Sequence, residues 1–120
     1  NYLKERYGKA IYQNSNLATS KNFSNDWIWL QLEKDGVVKD PYKLLPPVFD
    51  GYGIEIDDRI ASFENIDNGG AALTAYAKLQ FEDLAEQERK MIEAALFKYC
   101  ELDTLAMVML YEYLHSECYQ

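Results

Sequence analysis

Tyr99 and Asp103 are the residues of this sequence whose types and spacing best suit chemistry. They lie four positions apart, so on a helix they share one face, and the rest of that row is apolar. The other members of the row are Ile92, Leu96, Ala106 and Leu110. A carboxylate buried there without a partner costs several kcal/mol. Asp103 therefore needs a cation, a role as a helix cap, or an exposed cleft.

The Tyr-x3-Asp spacing resembles the last motif of the three-motif 3′-5′ exonucleases with a ribonuclease H-like fold. Longer segments resemble the bacterial family known as domain of unknown function 2779. They are GGAALTAYAKLQF (69–81), LFKYCELDTLAMV (96–108), DPYKLLPPVF (40–49) and DWIWLQ (26–31). Together these segments span most of the chain from about residue 26 to residue 114.

The resemblance implies a C-terminal fragment that carries only the last exonuclease motif. The family's Asp-x-Glu strand and second aspartate motif would lie upstream, and neither occurs in this sequence. In the complete parent, Asp103 would be one of four carboxylates that hold two divalent ions about 3.5 to 4 Å apart at the scissile phosphodiester. The parent would act on the 3′ end of a nucleic acid, and the fragment alone would be inactive.

The same resemblance implies a role for each residue of the motif and a choice of metal. Mg²⁺ or Mn²⁺ is expected at Asp103, because oxygen ligands dominate and the sequence has no His or Cys cluster. The fragment is not expected to retain the ion. A tyrosine is mostly protonated at neutral pH, so Tyr99 is expected to orient the attacking water rather than deprotonate it.

Charge and composition limit what the chain can do alone. Its 120 residues are 48% hydrophobic and carry a net charge of −8, enough for one modest core. Residues 61–120 carry 4 basic and 11 acidic groups, so this half is a poor binder of a phosphate backbone. No apolar run is long enough to span a bilayer. Cys100 and Cys118 cannot pair within one helix, which favours a cytoplasmic setting.

The pattern of turn and helix signals predicts an α+β fold. We expect one partial domain, with an irregular, β-containing segment over 1–68 and a helical segment over 69–120, as the C-terminal part of a ribonuclease H-like exonuclease fold. Residues 27–32 read as a buried strand, and Asp35-Gly36 followed by Val37-Val38 predicts a hairpin. Residues 1–8 predict a short helix, and 84–113 predict a long one that either runs unbroken or pauses at Asp103.

Several other residues have a structural interpretation that outweighs a functional one. Trp27 and Trp29 suit core and surface anchors better than a base-stacking platform. Residues 50–67 form an acidic, glycine-punctuated connection, but they lack the ordered spacing of an EF-hand calcium loop. Glu101 is expected to face away from Asp103 into solvent, and Cys100 is expected to be a small buried hydrophobe.

The alternative function is a noncatalytic helical interaction module of the kind that packs its apolar faces on a partner. In that case Asp103 is a helix cap, and the exposed apolar helix faces allow a homodimer. An Asp-x-Glu strand upstream of this chain in a longer protein would favour the nuclease. Its absence would favour the module.

Overall fold

The computed structural model describes residues 2–14, 17, 19–48 and 65–118. Its helices are α1 (Tyr2–Tyr7), α2 (Gly69–Phe81) and α3 (Glu86–Cys118), with 3-10 turns at Ile11–Gln13 and Pro41–Leu44. The chain divides into two compact units: the first is Asn1–Lys43 with Glu101–Gln120, and the second is Leu44–Cys100. The acidic connection predicted over 50–67 lies almost wholly outside the described residues.

The predicted α+β class is wrong, because the described residues are mostly helical and contain no strand or sheet. The prediction of a ribonuclease H-like fold is wrong for the same reason, because that fold contains a sheet. The predicted hairpin turn does form: Gly36 has a φ of 87°, and the Glu33 N–H donates to Val37 O at 2.8 Å. Pairing stops at one isolated bridge, between Leu32 and Val38.

Two features explain why no ladder grows from that turn. The return segment has room for only a few residues, because Pro41 opens a 3-10 turn and has no N–H to donate. On the other side, Ile28 makes a single bridge to Ala10 rather than a second ladder. A strand needs repeated pairing along its length, and here each partner contributes one bridge.

The first unit is built around Tyr7, which is fully buried at the end of α1. Its hydroxyl donates to Glu112 Oε2 at 2.7 Å, and Arg6 Nε donates to the same oxygen at 3.0 Å. Phe23 stacks on Trp27 with 4.6 Å between ring centroids and meets Trp29 edge-on at 4.9 Å. The Tyr7–Glu112 hydrogen bond thus joins segments of the first unit that are far apart in sequence.

The second unit packs α2 against the first half of α3. Asn68 caps α2, because its side-chain oxygen accepts from the Ala71 N–H at 2.9 Å. At the start of α3, the Glu88 side chain accepts from the Ala85 N–H at 3.0 Å and so stabilises that helix end. The buried residues of this core are Val48, Ile66, Ala75, Leu84 and Ile92. None of the described helices is both long enough and apolar enough to cross a bilayer.

Candidate functional site around Asp103

Asp103 lies inside α3, which runs without a break from Glu86 to Cys118. It is therefore not a helix cap, and one of the structural explanations for its presence is removed. Its side chain is exposed. The row of residues that shares a helix face with Asp103 is therefore not uniformly buried. Ile92 is fully buried, whereas Asp103 and Leu110 face solvent.

Tyr42 contacts the Asp103 carboxylate directly. The Tyr42 hydroxyl donates to Asp103 Oδ1 at 2.8 Å, and both residues belong to the first unit. Tyr42 is held by the 3-10 turn Pro41–Leu44, in which its own N–H donates to Asp40 Oδ1 at 2.9 Å. An aspartate that accepts from the backbone two residues later is a common turn signal, and Pro41 fixes the next φ.

Sequence reasoning missed this contact between Tyr42 and Asp103, which spans 61 positions. The Asp40-Pro41 pair was a usable signal for the turn, but no local pattern indicates which helix the tyrosine meets.

Tyr99 lies one helical turn before Asp103, within the second unit. It is half-buried and packs against the core cluster of that unit. A Cβ added at Gly69 would lie 3.9 Å from the Tyr99 hydroxyl, which places this oxygen near the start of α2. Tyr99 thus has a packing role in addition to any chemical one.

Two neighbours of Asp103 differ from what the sequence predicted. Glu101 is half-buried rather than solvated: it accepts from the Ser20 hydroxyl at 2.6 Å and from Asn22 Nδ2 at 2.7 Å. Ser20 in turn accepts from the Phe23 N–H at 2.9 Å, so Glu101 anchors an Asn- and Ser-rich turn. Cys100 is exposed, not a buried hydrophobe.

The described residues do not by themselves fit a divalent metal ion. Mg²⁺ and Mn²⁺ bind several oxygen ligands, usually with more than one carboxylate in nuclease sites. Within the described part of the chain, no group of three or more His, Cys, Asp or Glu side chains comes together. Asp103 supplies one carboxylate, and the oxygen atom beside it is a tyrosine hydroxyl.

The second unit also contains a cavity of about 200 Å³. Leu45, Val48, Ile66 and Met91 are among its lining residues, and Lys98 is the one charged side chain there among those described. The described lining residues include no carboxylate, thiol or imidazole that could act as an acid, a base or a nucleophile.

Comparisons of the chain with protein-family models, with curated proteins and with solved structures found no significant match. The exonuclease resemblance of the sequence thus stays a prediction. The roles of Tyr99 and Asp103 depend on the motif and on the position of each residue along α3.

Proposed function

We propose that this chain contributes the last motif of a metal-dependent 3′-5′ exonuclease-like domain, with Asp103 as a metal ligand and Tyr99 as the residue that orients water. The observation that carries the proposal is the position of Asp103: it is exposed in the middle of an unbroken helix, where it caps nothing. In the described residues it has a hydrogen-bond donor, Tyr42, but no cation as a partner.

The proposal needs further carboxylates beside Asp103, and the resemblance implies that a longer protein containing this chain supplies them. Mg²⁺ or Mn²⁺ would bridge Asp103 and those carboxylates and neutralise charge on a phosphodiester at a nucleic acid 3′ end. We also place this function in the cytoplasm. Exposed, unpaired thiols such as Cys100 and Cys118 persist most readily in a reducing compartment.

The test is degradation of end-labelled single-stranded DNA and RNA by the longer protein in Mn²⁺. We expect Asp103→Asn to abolish degradation, because the amide removes a charged metal ligand. Asp83→Asn is the matched control, since Asp83 is an exposed aspartate just before α3. No activity in the wild-type protein, or equal activity in both variants, would overturn the proposal.

Tyr99 has a separate readout. Tyr99→Phe removes the hydroxyl but keeps the ring that packs against the second-unit core. If the hydroxyl orients water, the rate of hydrolysis falls more than the affinity for Mn²⁺. Equal losses in rate and affinity would contradict the water-orienting role while leaving Asp103 as a ligand.

A second candidate, the noncatalytic helical interaction module, is favoured by a different observation. The last part of α3 carries exposed apolar side chains opposite its buried face, including Met107 and Tyr111. A helix that is apolar on both sides is normally covered by something. This candidate replaces the exonuclease if the longer protein shows no nuclease activity dependent on Asp103 and its association with a partner depends on these side chains.

A further inference from the structure

The exposed face of α3 has the spacing of a coiled-coil seam. We define the outer seam as Thr104, Met107, Tyr111, Leu114 and Cys118, all exposed and separated by alternating steps of three and four. Val108 and Leu110 flank it and are also exposed. The other side of the helix is the one that packs inward within the first unit, where Leu102 and Met109 are buried.

We propose that the outer seam binds the outer seam of a second copy of this chain, with the two α3 helices parallel. The inference is independent of the exonuclease proposal, because no step of it requires Asp103 to bind a metal. A helix with the same alternating repeat of apolar side chains fits such a seam by knobs-into-holes packing. Another copy of α3 has that repeat by definition.

The exposed area agrees with a weak but specific dimer. Met107 and Tyr111 are 67% and 68% exposed, and Leu110 and Leu114 are about half exposed. With Val108 and the two small residues at the ends, the patch covers roughly 600 Å² per copy, at the upper end of what a monomer typically leaves open. Two such patches bury about 1,200 Å², the lower limit for a specific complex.

The charges beside the seam favour the parallel arrangement. In an antiparallel pair centred between Met107 and Tyr111, Asp103 faces Glu117 of the second copy, twice by symmetry. In a parallel pair Asp103 faces Val108, and Leu110 faces His115, so no like charges oppose each other across the seam. Tyr111 then meets its own counterpart near the centre of the interface.

The first measurement is sedimentation velocity of the 13.9 kDa chain over a range of concentrations. We expect a monomer–dimer equilibrium that Leu114→Lys weakens at least tenfold, because two ammonium groups then face each other at the seam. Leu73→Lys is the matched control: Leu73 is a 70% exposed leucine on α2, in the second unit, and is not part of the outer seam. Met107→Lys is a second seam variant, and circular dichroism verifies that each variant folds.

Salt gives an independent readout. Each copy carries a net charge of −8, so two copies repel each other at low ionic strength. We expect added NaCl to strengthen the dimer, since salt screens this repulsion and leaves apolar contacts in place. Dissociation of the dimer by salt would indicate an ion-paired interface and would overturn the proposal that the outer seams bind each other.

Cross-linking at Cys118 distinguishes a parallel from an antiparallel arrangement of the two α3 helices. Cys100→Ser leaves Cys118 as the single thiol of the chain. In the parallel dimer a short bismaleimide joins two Cys118 thiols, whereas in the antiparallel dimer the two thiols are about 27 Å apart along the helices. Cross-linking that Leu114→Lys suppresses is the expected result. A chain that stays monomeric, a dimer equally weakened by Leu73→Lys, or a dimer without the Cys118 cross-link would overturn the proposal.

Discussion

Tyr7 and Glu112 are joined by a 2.7 Å hydrogen bond across 105 positions of sequence. The donor is the hydroxyl of a fully buried tyrosine, and the acceptor oxygen also receives Arg6 Nε. Glu112 lies on α3 and Tyr7 ends α1, so this carboxylate links the first and last helices of the first unit. A charged acceptor with two donors is among the stronger hydrogen-bonding arrangements in proteins.

Removing this carboxylate is expected to destabilise the chain. Glu112→Ala leaves the buried Tyr7 hydroxyl without its acceptor, at a cost of about 2 kcal/mol in the free energy of unfolding. Glu117→Ala is the control on the same helix: Glu117 is exposed, and its loss should change stability by less than about 0.5 kcal/mol. Urea unfolding measures both, and equal effects would contradict a structural role for Glu112.

Alkaline pH is expected to weaken the same link. Burial, and then the hydrogen bond to Glu112, raise the pKa of Tyr7 above 10.0, although Arg6 acts in the opposite direction. A pKa that is raised on folding gives a stabilisation that is complete below the unfolded pKa, near pH 10, and lost as pH rises through the folded pKa. The melting temperature should therefore fall above pH 10, and less steeply in Tyr7→Phe. The exposed Tyr12 provides the control. If Tyr12→Phe reduces the fall in melting temperature above pH 10 as much as Tyr7→Phe does, Tyr7 is not the source of that fall.

Gly8 is required where α1 ends. An added Cβ would lie 2.3 Å from Lys4 O, and this carbonyl cannot easily move because it accepts the Gly8 N–H at 2.9 Å. We expect Gly8→Ala to cost about 2 kcal/mol. At Gly69 the nearest atom would be 3.9 Å away, so Gly69→Ala should be neutral or slightly stabilising. Thermal unfolding of the two variants tests the contrast, which equal melting temperatures would contradict.

Tyr42 is expected to orient the Asp103 carboxylate in the longer protein, if Asp103 binds metal as proposed. A hydrogen bond to a ligating carboxylate fixes its direction, and losing such a partner typically weakens metal binding by about 10- to 100-fold. Tyr42→Phe should therefore raise the Mn²⁺ concentration needed for half-maximal activity by about tenfold or more. Tyr12→Phe is the control, and an unchanged Mn²⁺ requirement in Tyr42→Phe would show that the hydrogen bond has no such role.

Some features of this chain follow from the sequence because their causes are local. The helix over 69–81 begins after Asn68, whose side-chain oxygen accepts from the Ala71 N–H three residues later, and the Asp35-Gly36 turn needs only one residue with positive φ. The sequence also predicts the long C-terminal helix, over 84–113. The observed helix ends at Cys118, five residues beyond the predicted end. Each of these depends on residues within one or two turns of each other.

Other features were decided only by tertiary contacts. Residues 27–32 have a strand-like pattern, but a strand forms only where a partner pairs along its length, and the described residues offer isolated bridges instead. Glu101 was expected in solvent, yet Ser20 and Asn22 approach it from about 80 positions away. Asp103 meets Tyr42 in the same way. The sequence by itself determined where the helices lie and which acids they carry, because backbone preferences act locally. Which polar group each acid meets depends on how distant segments pack, and only the tertiary structure decided that.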